Sequence, residues 1–199
     1  MESEKLLFKL LKMTRDENRL LKEKIAILES ELSTVKEDST RDNLTGLYNR
    51  KIVDEAYDNS DTVIMCDIDN FKQLNDNFGH NFGDQMLVEI SDMIKSCVRS
   101  TDYVLRWGGE EFLIFVRTSS IEVAVSLAER IRKNTENINM GDDSKPIVTM
   151  SFGVSKLDKT DSLISDIKKV DEALYDSKKS GKNKITIASL EDKKLILGN

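Results

Sequence analysis

Trp107-Gly108-Gly109-Glu110-Glu111-Phe112 sets two carboxylates directly after two glycines. The flanking residues read as strands, Tyr103-Val104-Leu105 before and Phe112-Leu113-Ile114-Phe115-Val116 after. Gly-Gly at such a junction suits a tight hairpin whose dihedrals glycine alone adopts cheaply. The hairpin would hold both acids at a rigid turn. A second acidic strand end lies upstream, in Val63-Ile64-Met65-Cys66-Asp67-Ile68-Asp69. If the two strands are neighbours, Asp67 and Glu110 can share a hard divalent cation, with the Ile68 carbonyl as a further oxygen. Asp69 is expected to point elsewhere. Water and phosphate would complete the octahedron, so the pattern points to phosphate chemistry.

Composition narrows the setting. At 199 residues the chain has room for one ordinary domain and an appendage. A net charge of -6 with scattered Lys and Arg argues against binding a nucleic-acid polymer, which calls for a basic face. It does not exclude a nucleotide, because Mg²⁺ can carry the charge of the phosphates. Cys66 and Cys97 have no metal-ligand spacing, and Cys66, in an apolar strand, reads as a buried thiol. His80 has no histidine or cysteine partner in the pattern and reads as loop packing. There is no apolar run of membrane-spanning length and no signal peptide. A cytoplasmic protein without membrane contact, or the cytoplasmic end of a longer one, is expected.

Residues 1–40 contain no glycine or proline. Leu7, Leu11, Thr14, Asn18, Leu21, Ile25, Leu28, Leu32 and Val35 recur at alternating spacings of four and three, a heptad seam. With Leu11, Asn18, Ile25 and Leu32 at position a, a polar pair at Asn18 would fix register and favour a parallel homodimer. A single amphipathic helix packed on its own domain is the other reading. Leu6, Leu10, Met13, Leu20 and Ile27 form a second apolar stripe. It would either broaden the dimer seam or meet a domain outside the chain.

The compact domain is expected over residues 41–190, with a tail at 191–199. Asp42 or Asn43 is expected to cap a short helical segment. A helix follows at 49–56, a central strand at 62–68, a short helix at 71–78, a loop at 79–83 and a helix at 84–98. After the hairpin come a helix at 121–134, a strand at 148–154 interrupted by Gly153, a helix near 162–179 and a strand at 185–188. This order fits an α/β (α+β) sandwich with a mainly antiparallel sheet, not a doubly wound sheet. Asp69-Asn70-Phe71-Lys72 opens a helix, whose free N–H groups can cradle phosphate, with Lys72 adding charge. Lys178 and Lys182 surround a helix end and can reach distal phosphates. Taken singly, each also reads as a solvated helix-end charge.

The same residues carry a resemblance to a family. Arg41-Asp42-Asn43-Leu44-Thr45-Gly46-Leu47-Tyr48-Asn49-Arg50 resembles the opening motif of the GGDEF diguanylate cyclases. Asp67-Ile68-Asp69-Asn70-Phe71-Lys72-Gln73-Leu74-Asn75-Asp76, Gly79-His80 and Gly83-Asp84 are similar to its later motifs. The signature hairpin stands in its Glu form, Gly108-Gly109-Glu110-Glu111-Phe112. Asp171-Glu172-Ala173-Leu174-Tyr175, Lys178 and Gly181-Lys182-Asn183 match the end. The resemblance implies a ferredoxin-related, palm-like nucleotidyl cyclase domain that joins two GTP into cyclic di-GMP and two pyrophosphates. It implies Mg²⁺, with Mn²⁺ as a substitute, on Asp67, the Ile68 carbonyl, Glu110 and Glu111. Glu111 would also help activate the 3′-hydroxyl. Phe71, Lys72, Lys178 and Lys182 would hold phosphates, and Asn75 and Asp84 would read guanine. An Asp can accept from guanine N1–H and N2–H, which agrees with that role without defining it. Arg99-Ser100-Thr101-Asp102 matches the family's inhibitory product site, where Arg99 and Asp102 would bind cyclic di-GMP. Without the resemblance this stretch reads as a surface turn.

There are departures. Lys182 stands where arginine is common, keeping the charge and losing the fork. Val170 replaces a frequent alanine and Trp107 a common tyrosine. No sensory domain is visible in the chain, so the helix reads as the stump of a longer or an engineered protein. Two other functions stay open at this point: a silent cyclic di-GMP receptor, and an intramolecular purine nucleotide cyclase.

Overall fold

The structure is a computed structural model. It describes residues 2–138, 146–188 and 195–197, with the backbone alone described at 2–4, 6, 8, 29–38 and 195–197. The chain divides into two units, 1–40 and 41–199.

The first unit is one helix, α1 (Glu2–Thr40), of 39 residues. Its seam side chains Leu7, Leu11, Leu21, Ile25 and Leu28 are each more than half exposed. So are Leu10, Met13, Leu20 and Ile27 of the second stripe. The Leu6, Leu32 and Val35 side chains lie outside the described residues. The helix of the sequence reading is therefore present. A lone helix gains little from propensity, so an apolar face of this length requires a covering surface.

The second unit is a mixed sheet with helices on both faces. Strands β1 (Thr62–Ile68), β2 (Tyr103–Arg106), β3 (Glu111–Val116), β4 (Met150–Lys156), β5 (Ile185–Ile187) and β6 (Leu195–Leu197) lie in the order β2-β3-β1-β4-β5-β6. All pairs are antiparallel except β4 with β5. The helices are α2 (Val53–Asp58), α3 (Phe71–Phe78), α4 (His80–Cys97), α5 (Ile121–Glu136) and α6 (Leu163–Lys179). The strand period of two sorts β1 between two cores. Ile64, Cys66 and Ile68 join α4 and α5 residues such as Ile90, Ile94 and Ile131. Val63 and Met65 join Ala56 of α2 and Val170 and Leu174 of α6. By the same alternation Asp67 belongs to the α6 face.

Several local expectations are corrected. Asp42 caps no helix: its Oδ1 accepts from Thr45 N (2.9 Å) and Thr45 Oγ1 (2.7 Å) in a turn over residues 43–45. The helix expected at 49–56 is a 3₁₀ turn at Arg50–Ile52, capped by the Asn49 side chain, running into α2. Residues 80–83 are helical, not loop. Gly79, at φ +85°, makes the break, and α4 starts at His80. Gly83 is glycine for room: a Cβ there would strike the Asn75 amide and crowd Phe71 Cζ at 3.2 Å. Gly153 does not interrupt its strand. A Cβ there would strike the Val170 carbonyl and lie 2.6 Å from Leu174 N, so α6 packs directly on the β4 backbone. The described part of the tail, Leu195–Leu197, is an edge strand on β5; the rest of 191–199 lies outside the described residues.

Candidate active site

The carboxylates converge because of register. β1 and β3 pair antiparallel with Asp67 directly opposite Glu111, and Ile68 N donates to the Glu110 carbonyl at 3.3 Å. Leu113 and Phe115 face the α6 core, so Glu111, two and four residues before them, shares that face with Asp67. From α6, Lys178 Nζ reaches Asp67 Oδ2 at 2.8 Å. Burial lifts the Asp67 carboxyl to about 6, against the hydrogen bond and charge of Lys178, while Glu110 and Glu111 push it further up. A buried acid with two acid neighbours calls for a counter-cation.

The hairpin gets its shape differently from the sequence expectation. Neither Gly108 nor Gly109 has positive φ. Trp107 N and Gly108 N both donate to the Glu111 carbonyl, at 2.8 and 3.1 Å. A Cβ on Gly108 would collide with the Glu111 carboxylate, whereas Gly109 faces open space. The first glycine thus makes space for an acid. Two arginines brace the turn from outside. Arg50 donates to the Trp107 carbonyl and stacks on its ring at 4.6 Å. Arg106 Nη2 donates to the Gly109 carbonyl at 2.8 Å, and its Nη1 pairs with Asp42 Oδ1 at 3.1 Å. Burial alone would raise Asp42, but hydrogen bonds from Thr45 and Arg106 hold it below the usual carboxylate value. These braces escape a sequence reading, since the arginine and aspartate are 64 residues apart.

Asp69 is not part of the acidic group. β1 ends at Ile68 and Asn70 is left-handed, so strand alternation no longer applies. The Asp69 carboxylate accepts from Ser151 Oγ (2.6 Å), Thr149 Oγ1 (2.7 Å) and Asn183 N (3.0 Å). Asn70 gives α3 no side-chain cap, which leaves N-terminal N–H groups of that helix without a side-chain acceptor. Phe71 itself is buried in the core, so only its backbone can meet a phosphate, while Lys72 is exposed. Lys182 Nζ donates to Asn70 Oδ1. Asn75 Oδ1 is buried without a hydrogen-bond partner, beside Gly83 and hence next to exposed Asp84. A shallow pocket of about 190 Å³ beside Lys178 is lined by Asp171, Glu172, Leu174 and Tyr175.

The Arg99–Asp102 turn comes immediately before β2, the strand that leads into the hairpin. Arg99 is exposed. Asp102 is already engaged: Oδ2 accepts from Arg99 N (3.0 Å) and Oδ1 from Arg117 N (3.2 Å). Arg130, not singled out from the sequence, donates to the Cys97 carbonyl just before this turn.

A family model for the GGDEF domain of diguanylate cyclases matches residues 39–184. The chain belongs to the GGDEF family. Diguanylate cyclase A of Treponema denticola is 43% identical over 129 residues, 64% of this chain and 35% of its own length. Diguanylate cyclase VdcA of Vibrio cholerae is 37% identical over 171 residues, 81% of this chain and 50% of its own. The chain therefore spans between about a third and a half of these curated relatives. Among solved structures, the coiled coil and GGDEF domain of DgcB from Caulobacter crescentus, in complex with c-di-GMP, superposes with a TM-score of 0.72. It is 31% identical and covers 86% of this chain and 98% of its own. In this GGDEF domain the donors suited to a divalent cation are all oxygens: Asp67, Glu110, Glu111 and the Ile68 carbonyl. Among the described residues no three His, Cys, Asp or Glu side chains form a ready-made metal cluster. The set fits Mg²⁺, which keeps waters and takes few protein ligands. Among the described residues, no helix is long and apolar enough to cross a membrane.

Proposed function

We propose that the chain is a diguanylate cyclase that condenses two GTP into cyclic di-GMP and two pyrophosphates. The observation that supports this most is the pairing of Asp67 with Glu111 across β1 and β3 under Lys178. Asp67, Glu110, Glu111 and the Ile68 carbonyl would hold Mg²⁺ or Mn²⁺. Such a cation lowers the pKa of a 3′-hydroxyl and stabilises charge on an α-phosphate. Glu111 would take the 3′-hydroxyl proton as the oxygen attacks the α-phosphorus and the bond to pyrophosphate breaks. Lys178 and Lys182 neutralise the distal phosphates, and the N–H groups at Phe71 and Lys72 add donors. Asn75, with its unpaired Oδ1, and Asp84 read the guanine edge, which favours GTP over ATP.

One subunit supplies one half-site, so the active form is a homodimer in which each 3′-hydroxyl faces the other α-phosphate. The exposed seam of α1 is the element that raises the local concentration of the two domains, as a parallel coiled coil. Arg99 and Asp102 bind the product and slow the enzyme.

A chromatographic product assay with GTP and Mg²⁺ or Mn²⁺, run at protein concentrations high enough to dimerise, tests the reading. Cyclic di-GMP is the expected product. No consumption of GTP in either metal would leave a cyclic di-GMP receptor. A cyclic mononucleotide would instead mark an intramolecular cyclase.

A further inference from the structure

Among the described residues, the non-glycine positions with positive φ are Asn70 (+58°), Lys182 (+63°) and Asn183 (+49°). They fall in two loops that touch: Asn183 N donates to Asp69, and Lys182 Nζ to Asn70 Oδ1. Asparagine adopts left-handed backbone readily as a single residue, whereas lysine does so only where the surroundings hold it there. The Asn183 side chain is held by Arg132. This arginine of α5 is 4% exposed. Its Nε and Nη2 grip Glu129 at 2.8 and 2.9 Å. Its Nη1 reaches Glu136 Oε1 and Asn183 Oδ1, each at 2.9 Å. Asn183 Nδ2 closes the ring on Glu136 Oε1 at 2.6 Å. One polar chain thus runs from Arg132 through Asn183 to Asp69, which Thr149 and Ser151 fix from β4 and the segment before it.

For stability alone such a group is a poor investment, since a buried ion cluster can often be replaced by apolar packing without loss. Its geometry does something that apolar packing cannot. It holds Asn183 in its left-handed turn and so aims the side chain of the adjacent Lys182 at the Asn70 loop that opens α3. We propose that Arg132 and Asn183 are positioning residues that set Lys182 and the Asn70 loop for the distal phosphates of the nucleotide. The proposal rests on the cyclase reading for the identity of that nucleotide.

Asn183→Gly separates position from fold. Glycine accepts the left-handed backbone and keeps the N–H to Asp69. It deletes the amide that joins Arg132 and Glu136. The expected result is about a tenfold rise in the KM for GTP with kcat changed less than about threefold, the pattern of lost ground-state binding. Isothermal titration should show affinity for Mg²⁺-GTP and for Mg²⁺-pyrophosphate falling by a similar factor. GMP, which lacks the distal phosphates, should bind as to wild type. Arg132→Met should move the same way. Equal losses for GMP and GTP, or wild-type affinity for GTP and pyrophosphate in Asn183→Gly, would overturn the proposal. Wild-type protein that binds GTP but makes no product defeats the cyclase reading alone, because the binding comparison still judges the network. Wild-type protein that binds no GTP defeats both.

Discussion

Lys178 Nζ lies 2.8 Å from Asp67 Oδ2, on the face of β1 where Asp67 also stands opposite Glu111. The ammonium offsets only part of a local excess of negative charge. Asp67 titrates near 6 in the folded chain against 3.8 as a free side chain, chiefly because it is buried. The folded state therefore holds this proton more tightly than the unfolded state does. The contribution of Asp67 to stability is greatest below pH 3.8 and is lost as pH rises toward 6, by roughly 1–3 kcal/mol in all. A divalent cation binds the ionised form and opposes that loss. Thermal melts should show Mg²⁺ raising Tm more at neutral pH than near pH 5. Asp67→Asn should melt above wild type without metal at neutral pH, and its Tm should not respond to Mg²⁺. A metal response equal to wild type in that variant would remove Asp67 from the metal site.

The hairpin glycines should behave unequally. Gly108→Ala puts a methyl where the Glu111 carboxylate lies, while Gly109→Ala meets nothing within 4 Å. Both have negative φ, so backbone strain does not enter. Gly108→Ala is expected to lower kcat at least about a hundredfold, comparable to loss of a charge-stabilising group. Gly109→Ala should stay within about threefold of wild type, as an ordinary exposed substitution. Steady-state rates of pyrophosphate release would measure both. Equal damage from the two would show that the turn needs glycine for another reason.

What could be read from the sequence, and what could not, divides along physical lines. The central strand at Thr62–Ile68 was legible because an uninterrupted apolar run ends in two acids. The pairing of Asp67 with the hairpin followed from treating two acidic strand ends as neighbours. Gly83 and Gly153 misled, since a glycine reads as a break while here each admits a neighbouring element. The Arg106–Asp42 brace and the Arg132–Asn183 link join residues far apart in sequence through polar side chains that carry no periodicity. The guanine-reading pair came from family resemblance. The buried, unpartnered Asn75 Oδ1 is a structural observation that fits it.

Product inhibition should separate Arg99 from Asp102. Arg99 is exposed, whereas Asp102 accepts hydrogen bonds from the backbone of Arg99 and Arg117. Arg99→Ala should relieve inhibition by cyclic di-GMP with initial rate and Tm near wild type. Asp102→Ala should relieve it too, at a cost of about 1–2 kcal/mol for two lost acceptors. Progress curves with added product, together with denaturant melts, distinguish the cases. Inhibition unchanged in Arg99→Ala would move the inhibitory site elsewhere and leave catalysis as it stands.

The last prediction concerns assembly. Leu7, Leu11, Leu21, Ile25 and Leu28 of α1 are more than half exposed in the single chain. Burying such side chains against a second copy stabilises by on the order of 1 kcal/mol or more each. Thr14, at a seam position, satisfies its hydroxyl on the Leu10 carbonyl at 3.0 Å, so it enters a dimer without an unpaired donor. In the proposed half-site model two GTP sites meet face to face, and a pair of α1 helices would keep them close without fixing their rotation. Deleting residues 1–38 should therefore lower specific activity most in dilute protein, with partial recovery on concentration. Ile25→Asp should do the same while every ligand-binding residue stays intact, because it buries a charge in the seam. Solution mass and turnover measured on the same samples decide the matter. A variant that is monomeric across the whole concentration range yet fully active would reject the half-site model.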